Sequence, residues 1–196
     1  MPRLTRSLLV ANGLAFLLQQ VLGASFGSLF ALWPLGSGRF MPWQLATYAF
    51  MHASLMHLAF NMYGLWMFGS ELERIWGPRR LAFFYGTSVL AAAVAQLGVS
   101  ALIGNPAPTV GASGGVFGLM IGFAMLFPHR RMILLFPPIP MPARVFVLLY
   151  GILELTLGVT GTAAGVAHFA HLGGLLGGWL VIRYWRGQPP FGSARR

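Results

Sequence analysis

Polar residues are sparse along this chain and mostly gather between apolar runs. Six apolar stretches stand out, at 8–22, 55–76, 81–103, 113–127, 145–159 and 166–182. A bilayer crossing takes about 20 mostly apolar residues. The first, fourth and fifth runs are shorter than that, so their helices must draw on flanking residues. None of the runs alternates apolar and polar residues as a barrel strand would, and a helix satisfies its own backbone in lipid. The pattern predicts an all-α membrane protein, a polytopic bundle of six transmembrane helices. It forms one compact domain over 1–196, with short tails at about 1–6 and 185–196 and no soluble second domain.

Composition agrees: 57% of residues are hydrophobic and 8% are charged, against about 25% charged in an ordinary soluble domain. The net charge of +10 invites a nucleic-acid reading, but its distribution argues against one. All 13 basic residues are Arg. Twelve fall at the termini, between the second and third runs, or between the fourth and fifth; only Arg39 lies on the other side. This is the positive-inside pattern, with both termini cytoplasmic and an even number of helices. The arginines are therefore expected to meet anionic lipid rather than nucleic acid. Arg3 and Arg6, an apolar stretch and Gly23-Ala24-Ser25 also fit a cleaved signal peptide, which would remove the first helix. With no cysteine, disulfides and thiol catalysis are excluded. A composition that uses Arg and no Lys is compatible with a GC-rich bacterial genome, and a bacterial inner membrane is the expected location.

The connections differ in kind. The loop 24–53 is rich in aromatics, among them Trp33, Trp43 and Tyr48, and is expected to lie in the membrane interface. The proline-rich stretch 136–142 cannot be helical throughout. The loops 104–110 and 160–165 are short. Glycine repeats four residues apart at Gly114, Gly118 and Gly122, at Gly174 and Gly178, and at Gly173 and Gly177. Small residues at this spacing let membrane helices pack backbone to backbone. The simplest pairing sets the fourth helix against the sixth.

That pairing brings polar residues together. Ser113 opens the fourth helix and His171 shares a face with Gly174, an expected five to eight residues into the sixth. His57 and Asn61 lie four apart on the first two turns of the second helix. With the N-terminus inside, all four converge on the outer part of the membrane. Polar groups in lipid usually face a protein interior or a wet cavity and carry function. A serine needs an adjacent base to become a nucleophile, and His171 can take and return its proton. Backbone N–H groups at the start of the fourth helix, Gly111 among them, and the side chains of His57 and Asn61 are the candidate oxyanion donors. The sequence has no Asp, and Glu71 and Glu73 belong to the cytoplasmic end, so a Ser–His dyad is expected rather than a triad.

Other readings stand beside these. His168 could replace His171 as base. His57 and Asn61 could only bridge helices, and His52 is expected to be structural. A metal site from His52, His57, His168 and His171 lacks a neighbouring carboxylate, and none is expected. His129, beside Arg130 and Arg131, is expected at the surface. Glu154, midway along the fifth helix, is expected to be hydrogen-bonded and structural, with a proton relay as the sharper alternative. Gly111 to Gly115 also spells G-x-S-x-G, but the α/β-hydrolase elbow needs a soluble sheet that this chain lacks.

The chain resembles the rhomboid intramembrane serine proteases in their minimal six-helix form, from about Trp43 to Gly178. Gly111-Ala112-Ser113-Gly114 matches the family's nucleophile motif and His171-Leu172-Gly173-Gly174 its catalytic histidine motif. His57-Leu58-Ala59-Phe60-Asn61 matches the oxyanion-side motif, His52 an upstream histidine, and Glu73 to Gly77 the cytoplasmic Glu-x-x-x-Gly. The resemblance implies that Phe117, where many relatives carry Tyr, stacks on His171. Many relatives also have Trp-Arg where this chain has Trp43-Gln44, so loop anchoring is expected to differ. It implies an endopeptidase that cuts transmembrane segments of other proteins, with substrate entry beside the fifth helix and a water-filled cavity open outward. No metal or organic cofactor is implied. An inactive relative that binds membrane clients, or a small transporter using Glu154, are the other classes; the first would be marked by loss of Ser113 or His171, and both are present.

Overall fold

The computed structural model describes residues 1–133, 138–161 and 167–192. Its elements run α1 (Arg3–Phe30), α2 (Gln44–Thr47), α3 (Leu55–Gly64), α4 (Ser70–Ile103), α5 (Ser113–Leu126), β1 (Arg131–Ile133), β2 (Pro140–Pro142), α6 (Ala143–Thr160) and α7 (His168–Trp185). A π-helical turn, Leu65–Gly69, joins α3 to α4 without a break. The helical stretch Leu55–Ile103 has 49 residues. At 1.5 Å per residue, it would reach about 74 Å if straight, more than twice a hydrocarbon core of about 30 Å. It turns back instead at Gly77, whose φ of 74° and ψ of 168° lie where only glycine sits readily. Pro78 then opens the returning segment, where its missing N–H costs nothing. The runs 55–76 and 81–103 are thus separate crossings, and six membrane helices result.

Two boundaries differ from expectation. Helical structure continues past residue 22 to Phe30, but as a second piece, because Gly23 (φ 75°, ψ −165°) is non-helical and interrupts α1 as Gly77 interrupts α4. α7 begins at His168, so His171 lies on its first turn rather than five to eight residues in. Most of the loop expected at 160–165, together with Val166, falls outside the described residues, as do 134–137 and the last four residues. The described part of the proline-rich connector is a short antiparallel ribbon pairing Arg131 with Pro142 and Ile133 with Pro140.

α5 is the buried centre of the bundle, packed between α4 and α7. A Cβ on Gly174 would overlap the carbonyl oxygen of Gly114, and one on Gly178 would lie 2.9 Å from that of Gly118. The other small stripe of α7 faces α4, where a Cβ on Gly173 would lie 2.8 Å from the carbonyl of Ala91. The two glycine repeats of α7 thus serve two different neighbours. Lipid replaces water around the rim: Val21, Leu102 and Val159 are among many large apolar side chains left exposed by the protein itself. At the arginine-bearing end, Glu73 accepts hydrogen bonds from the N–H of Leu4 (2.8 Å), the N–H of Thr5 (2.7 Å) and the hydroxyl of Thr5 (2.7 Å). It caps the first turn of α1 from a different helix.

The segment between α1 and α3 is tied down by Gln44. Its Oε1 accepts from the N–H groups of Trp33 and Met41, and its Nε2 donates to the carbonyls of Leu29 and Arg39. A side chain 1% exposed and bonded four times is a strong anchor. Arg39, the lone arginine on this side, lies over the Trp33 ring at 4.8 Å.

Gly174→Ala is expected to destabilise the protein by about 1–3 kcal/mol through overpacking, seen as a lower thermal midpoint in detergent. Gly86→Ala, where nothing lies within 4 Å, should be neutral or stabilising by up to about 1 kcal/mol. Gln44→Leu leaves several buried backbone groups unpaired and is expected to cost about 1–3 kcal/mol, with faster limited proteolysis confined to residues 31–54.

Candidate active site

α5 has 14 residues, about 21 Å at 1.5 Å per residue. It is too short for a core of about 30 Å, so its N-terminus can lie below the membrane surface. Ser113 is its first residue. The adjoining α7 presents His171 one turn in, and the Gly114–Gly174 contact brings the two backbones together. Ser113 Oγ lies 2.7 Å from His171 Nε2. The Phe117 ring, one turn below Ser113, is stacked on the His171 imidazole with centroids 4.3 Å apart and planes 3° from parallel. The imidazole is thus held on its face and at Nε2.

His57 lies opposite. Gly111, at φ +125°, is shaped around it: a Cβ there would sit 2.7 Å from His57 Nε2. The structure corrects the expectation that the Gly111 N–H is a free oxyanion donor, because it donates to the Tyr48 carbonyl at 2.9 Å. Tyr48 is itself fixed by its hydroxyl, which donates to the Val89 carbonyl of α4 at 2.8 Å. Gly111 therefore makes room for His57 instead of donating. The first-turn N–H groups of α5, beginning at Ser113, carry no side-chain cap and have no partner within the helix. Asn61 donates one amide hydrogen to the His57 carbonyl at 2.9 Å, which leaves the other for a ligand. His52 is fully buried and clamped by Gln19, which donates to its carbonyl and accepts from its N–H. Its ring meets that of His57 edge to face at 5.1 Å, and its Nε2 faces the N–H of Ala112 at 3.5 Å.

These side chains border a cavity of about 860 Å³, lined by Ser113, His171, His57, Asn61 and apolar residues of α3, α5 and α6. It reaches from Ala53 and Val110 at one end to Met132 and Ile133 at the other, and both Phe60 of α3 and Phe146 of α6 line it. It is therefore a tall, mainly apolar gap between α3 and α6.

One further expectation needs correction. A carboxylate does reach the histidines: Glu154 Oε2 lies 2.6 Å from His168 Nδ1 and 2.9 Å from His171 Nδ1. His168 is engaged with Glu154, whereas the contact to Ser113 comes from His171. The four histidines do not form one metal cluster. Among the described residues, the group able to offer metal ligands is Glu154, His168 and His171, with one ligand atom from each within 4.8 Å of the others. The available signal was depth: Glu154 lies six residues, about 9 Å, from the α6 end at Thr160, close to the level of Ser113.

Comparison with known proteins places this geometry in context. The Rhomboid domain family matches residues 39–187. The chain belongs to the rhomboid family. It is 34% identical to Rhomboid protein 1, mitochondrial, of Saccharomyces cerevisiae over 148 residues, covering 69% of this chain and 40% of that protein. It is 30% identical to Rhomboid protease GluP of Bacillus subtilis over 142 residues, covering 71% and 25%. It is also 30% identical to the human Presenilin-associated rhomboid-like protein, mitochondrial, over 202 residues, covering 96% and 51%. The chain thus spans between a quarter and about half the length of these relatives. Two are named as mitochondrial and one comes from a bacterium, so membership of the rhomboid family makes this an integral membrane protein without fixing the compartment.

Gly111→Ala places a Cβ against His57 at a positive φ. It is expected to cost about 1–3 kcal/mol, measured as a lowered thermal midpoint, while Gly13→Ala, inside α1 with open space around it, leaves the midpoint unchanged or raises it.

Proposed function

We propose that this rhomboid is an intramembrane serine endopeptidase that cuts transmembrane segments of other membrane proteins. The observation that carries this reading is Ser113 Oγ at 2.7 Å from His171 Nε2, on the wall of a cavity between membrane helices. Ser113 attacks the scissile carbonyl while His171 Nε2 takes its proton. The negative charge that develops on the carbonyl oxygen meets the N–H groups at the start of α5, with the positive end of the helix dipole behind them, and the side chains of His57 and Asn61. His171 then protonates the leaving amine, and the acyl-enzyme forms. Water, activated by the same histidine, releases the second product and restores Ser113.

Substrate helices reach the site through the gap between α3 and α6, whose apolar walls suit a lipid-embedded segment. The segment must unwind there, because a helical peptide bond is shielded by its own turns. The distribution of the arginines supports an orientation with both chain termini on the cytoplasmic side and the Ser113 end on the outer side. The Lys-free composition favours a bacterial inner membrane. A client-binding protein without activity would use the same gap but would not depend on Ser113.

Purified protein in liposomes is expected to cleave a single-span substrate, and a fluorophosphonate probe should label Ser113. Ser113→Ala and His171→Ala should each reduce cleavage by a factor on the order of 10⁴ or more, with thermal midpoints near that of the unmodified chain. Cleavage that survives both changes would refute the mechanism; binding of the substrate with no cleavage by any form would favour the client-binding reading.

A further inference from the structure

We infer that Glu154 is a positioning residue for His171, so that the site works as a Ser113–His171–Glu154 triad; this rests on the protease reading above. The chain has three acidic residues. Glu71 is paired with Arg74 at 2.7 Å on the surface, and Glu73 caps α1. Glu154 is the remaining carboxylate; it is buried where α6 meets α7, with Oε2 beside the Nδ1 atoms of His168 and His171.

The three histidine-ring contacts divide the work. For His171 Nε2 to accept the Ser113 proton, its own proton must reside on Nδ1. A carboxylate oxygen 2.9 Å from Nδ1 favours that tautomer and then stabilises the imidazolium that forms as Ser113 attacks. The two atoms are close, but Nδ1 makes no hydrogen bond in this structure; catalytic hydrogen bonds often align only with substrate bound. His168 holds the carboxylate from the other side at 2.6 Å. Glu154 thus has one fixed partner and one working partner. The proton stays on His171 throughout: Glu154 supplies charge and direction, and no bond to it forms or breaks.

The test uses the full-length protein in liposomes, with cleavage of a single-span substrate and the rate of Ser113 labelling by a fluorophosphonate as parallel readouts. Glu154→Gln keeps the shape and removes the charge. It is expected to lower kcat by about 10²–10⁴-fold with KM within about twofold, and to slow labelling in parallel, at an unchanged thermal midpoint. Glu154→Asp, one methylene short, should fall between the two and retain part of the rate. Glu154→Gln at the wild-type rate, while Ser113→Ala is dead, would overturn the positioning role and leave the protease reading intact. Where Glu154→Gln fails to fold, Glu154→Asp carries the test: a folded variant with undiminished labelling overturns the role. Wild type that neither cleaves nor labels would overturn both.

Discussion

The carbonyl of Gly114 fills the space that a side chain on Gly174 would occupy, and the geometry of the site depends on this contact. Lipid gives no hydrophobic reward for bringing two helices together, so close backbone packing must supply the attraction. Here it also sets the distance between a serine and a histidine 58 positions apart, now 2.7 Å. Bulk at Gly174 would move α7 outward, and His171 with it, whereas bulk at Gly114 would press on Ala92 of α4. The second stripe of α7, at Gly173 and Gly177, meets α4 in the same way. The helix that carries the histidine is therefore gripped on two sides, and its position is stiff where precision matters.

A short α5 follows from the same logic. Surrounded by protein, it need not span the bilayer by itself, and its start can lie below the surface. The polypeptide entering it is then exposed to backbone hydrogen-bond loss in a poorly solvated region. Tyr48 answers that cost, accepting the Gly111 N–H with its carbonyl and donating its hydroxyl to α4. Gln44 does the same for the segment before α2. Where many rhomboids carry Trp-Arg, this chain uses an amide with two donors and two acceptor lone pairs on its carbonyl, which suits four backbone groups better than a charge.

Glu154 shows how burial and function meet. A lone carboxylate among membrane helices is costly unless hydrogen-bonded or paired. Its two imidazole neighbours supply those partners, and the pairing that makes the acid tolerable also orders the rings. His168 and His171 lie three apart on one helix, so a single carboxylate from α6 can serve both.

Much of this was legible in order along the chain. Apolar runs and arginine placement set the number of helices and their alternation, because hydrophobic length and charge are local properties of consecutive residues. The glycine spacing announced that α5 and α7 would pack closely, and with it the nearness of Ser113 and His171, although the α5 stripe at Gly114, Gly118 and Gly122 itself lies against Ala92, Ser88 and Phe84 of α4. The tertiary structure alone decided the rest. It showed that Glu154 turns toward α7, although a helix with apolar residues on every face does not reveal which side its one acid takes. It engaged the Gly111 N–H with Tyr48, a contact between segments more than sixty residues apart that no spacing encodes. It also set Gly23 and Gly77 at positive φ, interrupting the helical stretch at each. The sign of φ at a glycine depends on what the flanking helices pack against, and the residue itself permits either.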